Sequence, residues 1–166
     1  MVKIIGTKGN IQNIDSFVQK ILKLAEKYNI TIQALNADVV YGKDHLVSAL
    51  QHAKRAFEEG RNATNSLAME ILLYASGERQ IQKSIQKVGV KSGNGNIAII
   101  FDGKISNDHV GTILKILDVS RDDEVLEGNI DTLKKFGLTQ REIETVPKSH
   151  YSHLILERIA MVDVIK

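Results

Sequence analysis

Ile97-Ala98-Ile99-Ile100-Phe101 is five apolar residues in a row, preceded by Lys91-Ser92-Gly93-Asn94-Gly95-Asn96. A short apolar run bounded by turn residues reads as a strand buried in a sheet. Val2 to Gly6 reads as a second strand ending in glycine, and 30–36 as a third. In the third, Ile30, Ile32, Ala34 and Asn36 alternate with Thr31, Gln33 and Leu35. The remaining periodic stretches are helical. Asn13 to Asp15 can cap a helix with Phe17, Val18, Ile21, Leu22 and Ala25 on one face. Lys43 to Glu58 carries Leu46, Ala49, Leu50, Ala53 and Phe57 at helical spacing.

Asn65-Ser66 opens a helix with Leu67, Ile71, Leu72 and Ala75 on one side. Ser76 is a good N-cap for a further helix with Ile81, Ile85 and Val88 inward, and Glu78 suits its positive end. Further helices are expected from Asn107 or Asp108 to Leu117 and from Asn129 to Phe136, the latter closed by Gly137. Thr139-Gln140-Arg141-Glu142 fits a capping box. The last helix, from about Ser149, is apolar on more than one face: Leu154, Ile155, Leu156, Ile159, Ala160, Met161 and Val162. Few strands and many helices predict an α+β fold, one domain over residues 1–166, with a small mixed sheet and several helices packed on it.

Composition narrows the chemistry. With 43% hydrophobic residues the chain can offset its ordering entropy, so disorder is excluded as the main state. No cysteine is present, which removes disulfides, thiol nucleophiles, cysteinyl zinc sites and iron–sulfur clusters. No apolar run reaches the ~18 residues of a spanning helix, and the start of the chain reads as mature protein without a signal segment. The net charge of +2 hides an asymmetry. Residues 1–94 hold 13 basic and 8 acidic residues, whereas residues 95–166 hold 9 and 12. That split suggests two surfaces with different partners, although an imbalance of this size also arises by chance.

Several constellations are weak. The glycine-rich 91–96 stretch leaves a helix and enters a strand, the reverse of a phosphate loop. His45 and His52 share one helix, and His150 and His153 another, but neither pair has a third ligand at metal spacing, so no metal or cofactor is expected. Asp122, Asp123 and Glu124 read as a solvated acidic turn. More informative is 65–91. Arg79, Lys83 and Gln86 fall on one helix face, with Gln82 and Lys87 at its edges and Lys91 beyond. A helix start at Ser76-Gly77 offers free N–H groups to an RNA phosphate, and Ile81 an apolar rest for an unpaired base. An ordinary solvated basic face accounts for the same pattern.

The chain also resembles a known family. The resemblance lies in Leu35-Asn36-Ala37-Asp38-Val39-Val40, His45 with Ala49, Asn65-Ser66, Met69-Glu70-Ile71-Leu72, Ala75-Ser76-Gly77-Glu78-Arg79-Gln80-Ile81 and Val88-Gly89. Asp123 to Glu127 and Leu156-Glu157-Arg158-Ile159-Ala160 fit as well. Together they are similar to the PRPK-binding (TPRKB-like) small subunit of the KEOPS complex, archaeal type. The resemblance implies a cytoplasmic, non-enzymatic subunit of the machinery that makes threonylcarbamoyladenosine (t6A) in tRNA. Its implied partners are the kinase-like ATPase subunit, through that subunit the threonylcarbamoyl transferase, and the tRNA 3′ CCA end, with no membrane. Self-association of the free protein is left open.

By the same resemblance Ser76, Gly77, Arg79, Gln80 and Ile81 belong to the RNA-end site, while Glu78 stands where glutamine is expected. Lys83, Lys87 and Lys91 are added on electrostatic grounds. For the kinase surface the surplus of apolar residues on the last helix points to Tyr151, Leu154, Ile155, Arg158, Ile159, Met161 and Val162. The rival reading is a small hydrolase using His45 or His52 with Asp38 or Asp44.

Overall fold

A computed structural model describes residues 1–165, Ile165 by its backbone alone. Among these residues four strands form one sheet in the order β2-β3-β1-β4: β1 Val2–Ile11, β2 Thr31–Asn36, β3 Gly93–Asp102 and β4 Val119–Arg121. The α+β class holds. The sheet, however, is antiparallel at every pairing rather than mixed. β3 runs against β1 over the whole length of both, from Val2 opposite Asp102 to Ile11 opposite Gly93. The expected 91–96 turn therefore shrinks, because Gly93 to Asn96 pair with Ile11 to Lys8 as a polar ribbon.

Among the described residues eight α-helices surround the sheet: α1 Ile14–Tyr28, α2 Gly42–Glu58, α3 Leu67–Ser76, α4 Ile81–Val88, α5 Asn107–Leu117, α6 Ile130–Phe136, α7 Gln140–Ile143 and α8 Tyr151–Ile165. They divide between two cores. Ile97, Ile99 and Phe101 point to one face, where Phe17, Ile21 and Leu24 of α1 meet Ile113 and Leu117 of α5. Ala98 and Ile100 point to the other, packed by α2, α3, α6 and α8. That is why residues 97–101 are apolar without alternation: the strand is covered on both faces.

Local signals explain most boundaries. Asn13 accepts the Ser16 N–H at the start of α1, and Ser66 accepts the Met69 N–H at the start of α3. Asn129 with Thr132 and Thr139 with Glu142 each close a capping box, and Gly137 ends α6 in the left-handed region. The acidic turn is structural. The Asp123 carboxylate accepts the Gly6 N–H at 2.9 Å, and the Asp122 N–H donates to Gly6 O at 2.8 Å. A Cβ on Gly6 would lie 2.5 Å from Asp122 O, so only glycine lets the two segments approach this closely.

Two expected helix faces change. On α1, Val18 and Leu22 are exposed while Leu24 is buried, so the apolar stripe is wider than the face the sheet covers. On α3, every residue from Glu70 to Ser76 is buried, because β2, α2, α4 and α8 all pack on it. No helix among the described residues is long and apolar enough to cross a membrane.

Candidate functional site

The α3–α4 junction holds the residues singled out for RNA, but not as a helix start. Ser76 is the last residue of α3, and Gly77 follows in the left-handed region at φ +70°, donating its N–H to Tyr74 O. A glycine that can take this conformation stops a helix rather than starting one. Ser76 is fully buried. Its hydroxyl lies 2.7 Å from Leu73 O and 2.7 Å from the Ser84 hydroxyl, and it accepts the Glu78 N–H. The free N–H groups sit four residues later, at Gln80–Ile81, where α4 begins with no side-chain cap.

Arg79 precedes α4, so it shares no helix face with Lys83. The turn nonetheless brings Glu78, Arg79, Gln80 and Lys83 around one cleft of about 120 Å³. Ile81 is half-buried against the core beside it.

Neither Lys87 nor Lys91 is among the residues that line this cleft. Lys87 lies 3.9 Å from the centre of the Phe136 ring and 3.6 Å from the Glu78 carboxylate. Burial holds its pKa below the usual lysine value, and Glu78 opposes that shift. Lys91 donates to Gln86 O at the end of α4. Ile85, expected inward, is 45% exposed.

His45 and His52 join α2 to its neighbouring helices. His45 is buried on α2. Its Nδ1 accepts the Tyr41 N–H at 2.9 Å, so Nε2 carries the proton and donates to Ala75 O at 2.8 Å. Burial pushes its pKa down to about 4, the Ala75 hydrogen bond resisting. His52 pairs with Asp163 at 2.7 Å, not with Asp38 or Asp44. Asp38 accepts from Asn96, and Asp44 stands exposed in the first turn of α2. The four groups of the hydrolase reading are thus not assembled into one site. His150 and His153 stack on each other, and among the described residues no three His, Asp or Glu converge as metal ligands would.

On α8, burial sorts the expected partner residues. Ile155, Ile159 and Val162 are core residues against α2 and α3, and they present nothing to a partner. The surplus of apolar side chains is spent inside because α8 lies between several helices. Tyr151 and Leu154 are half-buried, Arg158 pairs with Glu142, and Met161 (44%) and Val164 (75%) face outward. Near its end, the Asp163 carboxylate accepts from Tyr74 Oη at 2.5 Å and Arg61 at 3.1 Å as well as from His52. These hydrogen bonds outweigh desolvation and hold its pKa down to about 2. Asp163 thereby clasps α8 to α2 and α3.

Residues 9–163 match the family model described as kinase binding protein CGI-121. The chain belongs to the CGI-121 family. The regulatory protein Cgi121 of Methanocaldococcus jannaschii is 32% identical over 137 residues, which cover 82% of this chain and 86% of that protein. The match spans both the α3–α4 junction and α8 up to Asp163.

Sequence reasoning missed two features of this CGI-121 chain. One is an apolar groove of about 200 Å³ between α1 and the α3–α4 pair, lined by Val18, Leu22, Met69, Leu72 and Ile85. The over-wide stripe of α1 was its signal. The other is the buried carboxylate of Glu70, which accepts the Ala63 and Thr64 N–H groups and the Thr64 hydroxyl, and so ties the loop before α3 to the core. An acidic residue inside an apolar helical run gave the hint.

Proposed function

We propose that this chain is a non-catalytic subunit of the t6A-forming KEOPS machinery, cytoplasmic, which binds the kinase-like ATPase subunit, supports its activity, and holds the tRNA 3′ CCA end. Through the ATPase subunit it would join the threonylcarbamoyl transferase. The observation that carries this reading is the match of residues 9–163 to a family described as kinase-binding. The burial of His45 and the pairing of His52 with Asp163 favour a regulatory role over the hydrolase reading.

For the RNA arm, support comes from the cleft of Glu78, Arg79, Gln80 and Lys83 beside half-buried Ile81. A guanidinium, an amide and an ammonium next to an aliphatic side chain suit the phosphates and unpaired bases of a single-stranded end. Ser76 and Gly77 would shape this site without touching RNA, and Lys87 and Lys91 would stand outside it. For the kinase arm the outer face of α8, centred on Met161, remains available.

The test is co-purification with the ATPase subunit, with and without tRNA, together with binding of tRNA that lacks its terminal CCA. A stable complex is expected, with RNA affinity dropping sharply when the CCA is removed and when Arg79→Glu is introduced. Equal affinity for intact and CCA-less tRNA would overturn the RNA arm, and absence of a complex would overturn the kinase arm.

A further inference from the structure

The fourth strand covers only part of its neighbour. β4 pairs with Thr7 to Gly9 of β1, and the chain then turns away at Asp122. The Gly103 N–H donates to Met1 O, so odd-numbered residues of β1 turn their backbone groups to β3. Those of Val2, Ile4 and Gly6 therefore point to the opposite side. Gly6 is satisfied by Asp122 and Asp123. Among the described residues nothing bonds the outward N–H and C=O groups of Val2 and Ile4.

These groups line a groove of about 340 Å³. Its walls are Lys43 and Val47 of α2 on one face of the sheet, and Asn107 and Val110 of α5 on the other. Arg121 of β4 closes one end. The lining residues include three cations, Lys3, Lys43 and Arg121, and no carboxylate. Lys3 is anchored to Asn107 and Ile105 O, and Arg121 to Asp123 just outside the groove. Lys43 forms no ion pair within 4.0 Å among the described residues.

An unpaired strand edge at the floor of a groove is a template for an added strand, because its free groups repeat at the spacing of a ladder. The valines on each wall suit apolar side chains, and the cations suit carboxylates on their neighbours. We propose that the outer edge of β1 at Val2 and Ile4 accepts a short, extended, acidic and apolar segment of a partner protein, which continues the line of β4. This surface is separate from the α3–α4 cleft and from the outer face of α8, and the proposal stands whether or not the RNA arm does.

The probe is a terminally blocked peptide of alternating valine and glutamate, titrated into the ¹⁵N-labelled protein. The expected result is saturable shifts of the Ile4 amide and its neighbours, with affinity falling by about tenfold or more in Lys43→Glu and in Val2→Pro. The proline removes an outward N–H and no bond to β3, so the strand is expected to fold, which circular dichroism checks. No shift at Ile4 up to millimolar peptide would overturn the proposal. So would equal binding of the lysine counterpart of the peptide, or unchanged binding by folded Val2→Pro. Dimerisation of the protein that is abolished by Val2→Pro would assign the edge to a second copy of the chain and overturn the partner assignment.

Discussion

The hydroxyls of Ser76 and Ser84 lie 2.7 Å apart, fully buried between the end of α3 and the second turn of α4. They are the polar pin of the bend that exposes Arg79 and Gln80, since Ser76 also takes the Glu78 N–H and Ser84 reaches Gln80 O. Ser84→Ala is expected to lower stability by about 1 kcal/mol, the usual net value of one hydrogen bond. Ser76→Val strands a buried N–H as well and should cost about 2 kcal/mol. Urea unfolding measures both. If neither variant moves the midpoint, the pair does not hold the bend.

His45 makes stability depend on pH. Its pKa is lowered from 6.5 to about 4 in the folded chain, so the unfolded chain takes up the proton first. The folded state is thus at full advantage above pH 6.5 and loses it as pH falls from 6.5 towards 4. The loss is about 3 kcal/mol by proton linkage. Unfolding free energy measured across that range should fall, and His45→Asn should flatten the slope while being less stable at neutral pH. An equal slope in that variant would place the proton uptake elsewhere.

Where a signal is local, the sequence carries it. Asn13, Ser66, Asn129 and the Thr139–Glu142 box cap the helices whose starts they mark, because each cap needs only its own first turn. Ser76 misleads for the same reason. It has cap chemistry, but Gly77 behind it lets α3 end there, and the partner that settles the matter, Ser84, is eight residues away. On α8 depth was not legible, and three of the residues expected at a partner surface, Ile155, Ile159 and Val162, are core. Ile159 and Met161 look alike in composition, and only the packing of α2 and α3 makes one core and the other surface. The antiparallel order of the sheet was beyond local reading, since it depends on which strands meet.

Asp163 is expected to act as one unit with its three donors. Asp163→Ala removes hydrogen bonds to a charged acceptor, at a cost of about 2 kcal/mol. Tyr74→Phe should cost less, and the double variant less than the sum, because the two changes break one network. The carboxylate pKa is held down from 3.8 to about 2, so its contribution is complete above pH 4 and disappears as pH falls through 2. Thermal melts of the four proteins at pH 7 and pH 3 measure this. Strict additivity at pH 7 would mean that Tyr74 and Asp163 act independently.

Ile159 and Met161, two residues apart on α8, separate folding from partner binding. Ile159 is fully buried, so Ile159→Asp places a carboxylate in the core and should unfold or severely destabilise the chain, by several kcal/mol. Met161 is 44% exposed, beside exposed Val164, so Met161→Asp should melt within a few degrees of the parent. If the outer face of α8 meets the ATPase subunit, the same change should weaken the complex by about 2 kcal/mol or more, the loss expected when a charge enters an interface centre. Circular dichroism and a pull-down on each variant keep the effects apart. Loss of binding in Ile159→Asp alone reports only unfolding. Loss in a folded Met161→Asp places the kinase surface on α8, whereas normal binding by folded Met161→Asp and Val164→Asp would move it off this helix.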